Sequence, residues 1–278
     1  MGEKLDRMGL EAYFRRIGYE GPQEATLQTL CRLHFLHPLA IAFENLDPLL
    51  QRQVKLDLAS LEQKLVQGNR GGYCFEQNLL FMAALMALGF RVSGLAARVL
   101  WGRGEDAVTP RSHMLLKVEL PEGTYLADVG FGGLTLTAPL RLEAGWEQAT
   151  PHEIFRLDRE GDMWRMRAKL GEEWRSLYRF SLDEQFLVDY EITNYFISTS
   201  PESHFLHSLM AARPTSEGRH ALLNDQLKTY DLNGSYDLRM LSSGEEVVAV
   251  LRTIFGIQPT DLSGLGDVLE KKVILKQA

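Results

Sequence analysis

Two cysteines stand among the 278 residues, and one of them is placed where a thiol can react. Cys74 lies in the run RGGYCFEQN (Arg70 to Asn78), directly after a paired glycine and a tyrosine, at what reads as the opening of a helix. A thiol attacks carbon only as the thiolate, and a free pKa of about 8.5 leaves a few per cent ionised near neutrality. A helix start offers exposed N–H groups and a partial positive charge, and both favour the anion. Gly71 and Gly72 let the backbone turn sharply and let a reactant come close. A lone cysteine is more often a small buried hydrophobe. Cys31, on the apolar face of TLQTLCRLHFL, fits that description; Cys74, among glycines and polar groups, fits it poorly.

A thiol needs a base, and a base needs orienting. His113 opens the strand-like run SHMLLKVEL, and Asp128 lies in YLADVGFGG beyond the turn signal Pro121-Glu122-Gly123. A hairpin loop of two or four residues sets Asp128 opposite Leu115, two positions from His113 and on the same face. Such diagonal neighbours lie about 7–8 Å apart at the backbone, within reach of a carboxylate-to-imidazole hydrogen bond. A three-residue loop would put them on opposite faces. Singly, His113 reads as a strand histidine and Asp128 as a turn residue. Together with Cys74 they supply a nucleophile, a base and an orienter.

The elements that must position these groups change character along the chain. Leu5–Ile17, Thr26–Phe35 (broken by His37-Pro38) and Leu58–Gln67 read as helices. NLLFMAALMALGF is too continuously apolar for a surface helix and reads as buried. After residue 90 come short β-rich runs: RVSGLAARVLW, HMLLKVEL, TYLADVGF, IFRLDRE, DMWRMRAKL and EEWRSLYRFS. LVDYEITNYFIS continues in that style to about residue 198. Strands at RHALLN and QLKTYDL and a closing helix over Gly244–Thr253 follow. Helices, then antiparallel strands, then a small mixed region read as α+β, divided as 1–90, 91–200 and 201–278.

Composition narrows the function classes. Hydrophobic residues make up 45% and charged residues 24%, the balance of a soluble globular protein. A net charge of −7 without a basic stripe argues against a duplex nucleic-acid surface. The longest apolar stretch, LLFMAALMALGF, is too short to span a bilayer, and no signal-type segment opens the chain. Asp6 stands where a myristoylation site would carry Ser or Thr. His34 and His37 lack a third ligand of metal-site spacing, and HExxH, CxxC and Walker patterns are missing, so no metal is expected. The sequence reads as cytoplasmic, with no membrane partner.

RGGYCFEQN resembles the active-site segment of the arylamine N-acetyltransferases. YFRRIGYEG, TLQTLCRLHFLHPLAIAFENLD, SHMLLKVEL, YLADVGFGG and NYFISTSPESHF resemble that family's segments in the family's order. The resemblance weakens beyond about residue 215. It implies a helical bundle, a β-barrel-like domain and a small α/β lid, around a core like that of papain- and transglutaminase-type cysteine enzymes. It implies that Cys74 takes an acetyl group from acetyl-CoA and passes it to an arylamine or arylhydrazine nitrogen, with His113 and Asp128 completing the catalytic set. Gly130, Gly132 and Gly133 would lie beside coenzyme A. In NYFISTSPESHF the hydroxyls of Thr199, Ser200 and Ser203 could hydrogen-bond a cofactor, or could simply cap and turn. Phe43, Arg70 and Phe131 would line the acceptor pocket. Self-association into a homo-oligomer is compatible with this sequence. Two rival readings keep the same residues: a cysteine amidase, transglutaminase-like enzyme or amide-forming cyclase, and an inactive protein that only binds coenzyme A or an aromatic ligand.

Overall fold

Short polar caps mark where the helices begin. In the computed structural model, which describes residues 3–258 and 264–274, Asp6 accepts the Gly9 N–H and Gly18 turns left-handed to close α1 (Arg7–Ile17). Thr26 caps α2 (Leu27–Ala40). The strand β1 (Phe43–Glu44) and a single turn, α3 (Leu46–Leu49), follow. Asp57 caps α4 (Leu58–Leu61), which widens into a π-helical turn over Glu62–Gln67. Then comes α5 (Cys74–Ala87), buried from Cys74 through Asn78 and again at Leu80, Phe81 and Ala83 to Leu85.

Pro38 does not break α2 as expected; the helix runs through it to Ala40. Proline removes one ladder bond, and distant donors satisfy the carbonyls at this end. Arg213 donates to Leu39 O (2.7 Å) and Arg16 to Ala40 O (2.8 Å). His37, one residue before the proline, is held between Tyr13 and Gln77.

Eight antiparallel strands form the second layer: β2 (Arg91–Val99), β3 (His113–Leu120), β4 (Gly123–Ala127), β5 (Leu140–Arg141), β6 (Glu147–Ala149), β7 (Ile154–Glu160), β8 (Met163–Leu170) and β9 (Glu173–Phe180). Their order, β5-β4-β3-β2-β9-β8-β7-β6, leaves β5 and β6 as edges. The Gln148 amide stitches these edges together, accepting the Arg141 N–H and donating to the Arg141 carbonyl (2.8 and 3.0 Å). The sheet is thereby nearly closed into a barrel. Leu95, Leu115, Leu126, Phe155 and Met166 fill its interior, while Met114, Leu116 and Val118 face α5. The run HMLLKVEL is apolar on both faces because both faces are covered.

β3 and β4 pair from Leu120↔Gly123 to Leu116↔Ala127, across the two-residue connection Pro121-Glu122. That register carries Asp128 to the end of the sheet where His113 begins. LVDYEITNYFIS, by contrast, is no strand: it forms α6 (Leu187–Thr199). Its β-branched and aromatic content suggested a strand, but burial follows a helical period through Tyr190, Asn194, Ile197 and Ser198.

After a 3₁₀ turn at His204–Leu206 come β10 (Met210–Pro214), β11 (Gly218–Leu223), β12 (Gln226–Asp231) and β13 (Tyr236–Met240), then α7 (Gly244–Thr253) and α8 (Leu265–Leu269). β1 adds to this sheet through Phe43↔Ala212 and Glu44↔Ala211. Ala42, Leu46 and Leu49 share a core with Val247, Leu251 and Phe255. The helical region therefore contributes both a strand and core to the last region, across the division expected at residue 90.

The buried histidines of α2 are expected to destabilise the fold in acid. Burial lowers His34 to about 4 and His37 to about 3. Unfolded histidines titrate near 6.5, so below that pH the unfolded chain binds protons that the folded chain excludes. Their contribution is present above pH 6.5 and is lost as pH falls toward 4 and 3, reaching about 2 kcal/mol for each histidine by pH 5. Thermal unfolding should show the midpoint falling between about pH 7 and pH 5, and His37→Gln, though less stable at pH 7, should show a smaller fall. An equal fall in both proteins would assign the acid sensitivity to other groups.

Candidate active site

Three glycines explain how the cysteine loop is built. A Cβ at Gly71 would lie 2.1 Å from Ala42 O, so only glycine lets this loop run against the segment entering β1. The Gly72 N–H donates to Ala42 O, and Gly72 O accepts from the Glu44 N–H. A Cβ at Gly72 would lie 2.7 Å from Glu76 Oε2, the carboxylate that folds back to accept the Tyr73 N–H (3.0 Å). A Cβ at Gly130 would lie 2.8 Å from Cys74 Cα. These close approaches seat Cys74 as the first residue of α5, where the first N–H groups have no helical partner.

Gln77 secures the loop from below. Its amide donates to Ala42 O (2.8 Å), Gly72 O (3.2 Å) and Ile41 O (3.3 Å). Its oxygen therefore accepts from His37 Nε2 (2.7 Å), which leaves His37 Nδ1 to accept the Tyr13 hydroxyl (2.8 Å). Every direction in this buried relay is determined by the carbonyls at its end.

Cys74 is 5% exposed, and Sγ lies 3.7 Å from Ser112 O. The thiol acts on the ring of His113 and favours its charged form. Nε2 of that ring donates to Asp128 Oδ2 at 2.7 Å. Tyr178 OH donates to the same oxygen (3.0 Å), while Oδ1 accepts from Gly130 N–H (3.0 Å) and Asn78 Nδ2 (3.1 Å). His34 Nε2 accepts the Asp128 backbone N–H (3.0 Å). Burial would raise Asp128, but the His113 imidazolium and these donors hold it below the usual carboxylate range. Burial likewise opposes a charge on His113, yet Asp128 and then Cys74 raise it to about 10. The imidazolium therefore persists through neutral pH.

Phe131 is half-buried, set edge-on to His113 with ring centroids 5.1 Å apart and 5.2 Å from Tyr178. Phe43 lies beside the glycine turn, where a Cβ at Gly132 would be 3.5 Å from its ring. Phe205 continues this aromatic wall, 6.4 Å from Phe43 and 5.7 Å from Tyr73. Gly132 and Gly133 have no backbone N–H partner among the described residues, and Gly133 has open space around it.

The remaining expected binding residues are engaged by other groups of the chain. The Gly130 N–H is engaged by Asp128, so Gly130 seats the loop and offers no donor to a cofactor. Arg70 is 5% exposed and ion-paired with Glu44 (2.8 Å) and Asp47 (3.2 Å), behind the cysteine loop. Thr199 donates to Tyr195 O and lines a separate cleft of about 750 Å³ between residues 51–57 and α6. Ser203 likewise bonds Ile197 O and caps the 3₁₀ turn. Cys31, half-buried in α2, is raised by burial. Among the described residues no group of His, Cys, Asp and Glu could hold a metal.

Asn78, Tyr178 and Phe205 escaped the sequence reading. Asn78 carried a signal, since it sits one helical turn after Cys74 on the same face. Tyr178 and Phe205 carried none, because their partners lie far away in the chain.

An N-acetyltransferase family model matches residues 26–261. The chain is 43% identical to an arylamine N-acetyltransferase of Escherichia coli, over 91% of this chain and 90% of that protein. It is 41% identical to one of Mycolicibacterium smegmatis, over 92% and 94%. The structure of the Mycobacterium marinum arylamine N-acetyltransferase in complex with CoA superposes with a TM-score of 0.92 at 41% identity, covering 95% of this chain and 100% of that one. Likeness of this extent, in sequence and in three dimensions, makes the chain a member of the arylamine N-acetyltransferase family.

Proposed function

We propose that the chain moves an acetyl group from acetyl-CoA to the nitrogen of an arylamine or arylhydrazine in two half-reactions through Cys74. The observation that carries this reading is the buried Cys74–His113–Asp128 line, with His113 held as an imidazolium beside the thiol. The Cys74 thiolate attacks the thioester carbonyl, and the first-turn N–H groups of α5 face the developing oxyanion. The carbon–sulfur bond to coenzyme A breaks, and His113 gives its proton to the departing thiolate. The amine then attacks the acetyl-cysteine, neutral His113 takes the nitrogen's proton, and Cys74 leaves as thiolate to restore the starting pair. Asp128 orients the ring and supports its charge. Family membership favours this over the amidase, cyclase and binding-only readings.

The N–H groups of Gly132 and Gly133, which have no partner among the described residues, are proposed to meet an oxygen of acetyl-CoA. Phe43, Phe131 and Phe205 are proposed to pack against the acceptor's ring. All of these groups come from one chain. No described helix is long and apolar enough to cross a membrane, and a cytoplasmic location is part of the proposal.

Acetyl-CoA alone should add one acetyl group at Cys74, read by intact mass and peptide mapping. Cys74→Ser should not turn over, because an alkoxide is far harder to form than a thiolate. Acetylation at Cys31, or full activity of the serine variant, would sink the mechanism.

Asp128→Asn removes the charge that raises His113 to about 10. The imidazolium is then lost at lower pH, so the pH profile of Cys74 alkylation should move upward. The acetylation rate should fall by a factor on the order of 10²–10⁴. An unmoved profile with a normal rate would reduce Asp128 to a turn residue.

Aromatic pairs add about 0.5–1.5 kcal/mol beyond burial, so Phe131→Ser should change the ranking of arylamines by about 2- to 10-fold, chiefly in the second half-reaction. Single-turnover measurement of each half-reaction tests this. Loss of the first step with an unchanged ranking would assign Phe131 to acetyl-CoA instead.

A further inference from the structure

Behind the start of α5 lies a buried group of charges that the acetyl-transfer steps leave unused. Glu44 from β1, Asp47 from α3, Lys64 from the π turn, Arg70 from the cysteine loop and Glu76 from α5 meet there. Lys64 Nζ lies 2.6 Å from Glu76 Oε1 and 2.5 Å from Asp47 Oδ2. Arg70 bridges Asp47 and Glu44, and Glu44 Oε2 accepts the Leu46 N–H (2.6 Å). The other oxygen of Glu76 holds the Tyr73 N–H, one residue before Cys74. Glu76 is 2% exposed, and the side chain of Lys64 is 17% exposed.

Among the described residues, three carboxylates here share two cations. Glu76, Glu44 and Asp47 keep the Lys64 ammonium charged against its burial. Burial raises Glu76, while Lys64 beside it draws it back toward the carboxylate. Asp47, which burial would raise, is drawn below its ordinary range by Lys64 and Arg70.

A carboxylate at this position poses a problem for the nucleophile. Glu76 caps the same helix start whose positive field favours the Cys74 thiolate, and the two anions stand two residues apart. An unneutralised carboxylate would favour the protonated thiol. We infer that Lys64 is a positioning residue for the Cys74 thiolate: by pairing with Glu76 it lets that carboxylate cap α5 without cancelling the field at the thiol. The inference rests on Cys74 being the nucleophile.

Alkylation of Cys74 by iodoacetamide across pH, followed by intact mass on the full chain, tests the charge directly. Lys64→Met should move the alkylation midpoint upward. Glu76→Gln, which keeps an acceptor for the Tyr73 N–H, should move it downward. The double variant should return close to the original, and Lys64→Arg should leave it in place. Shifts of about half a pH unit, or about threefold in rate below the midpoint, are the expected scale. A purely structural tie predicts slower alkylation at every pH with an unmoved midpoint in both single variants. Unmoved midpoints, or shifts in the same direction, overturn the inference. Should Lys64→Met fail to fold, the direction of the Glu76→Gln shift decides. The reaction needs no acetyl-CoA, so the acetyl-transfer reading stands or falls separately, on acetylation of Cys74.

Discussion

A single buried carboxylate organises this molecule. Asp128 is fully enclosed, and an enclosed anion is tolerated only when donors surround it. It has four, and they come from four places: His113 at the start of β3, Tyr178 on β9, Asn78 on α5, and its own loop through Gly130. Barrel, helix layer and glycine turn are thus tied to one pair of oxygens. The acid that holds the histidine charged also sets how α5 lies against the sheet.

The thiol is placed by steric permission more than by attraction. Gly71, Gly72 and Gly130 each stand where a Cβ would strike backbone or a carboxylate. The result is a nucleophile with glycine on two sides and an imidazolium on a third. On the far side of the loop, the charges of Glu44, Asp47, Lys64, Arg70 and Glu76 replace apolar packing. Buried ion pairs add little net stability, but removing one partner is expensive. Such a cluster gives the loop one strongly preferred arrangement, a property useful beneath a reacting group.

The aromatic wall joins chemistry to recognition. Phe131 touches the ring of His113, and Phe43 and Phe205 extend that surface toward Tyr73. Phe43 lies on the strand that pairs with the last region's sheet, and Phe205 lies just before that sheet. The position of the last region is therefore coupled to the shape of the proposed acceptor pocket, through a strand only two residues long.

What could be determined from the sequence was local in origin. Cys74 stood out because glycines, a helix start and polar neighbours are read within nine residues. His113 and Asp128 could be brought together because strand side chains alternate with period two and a two-residue loop sets one register. The closing helix Gly244–Thr253 followed from its own pattern. Tertiary structure decided the rest. α6 is helical because its buried face meets the loop around Val54 and Tyr73, a contact that composition does not encode. α2 runs through Pro38 to Ala40, and arginines from α1 and β10, distant in sequence, take its last carbonyls. Arg70 sits behind the cysteine loop because Glu44 and Asp47 engage it there. In each case the deciding partner lies far away along the chain, and spacing alone carries no record of which donors and acceptors folding will bring together.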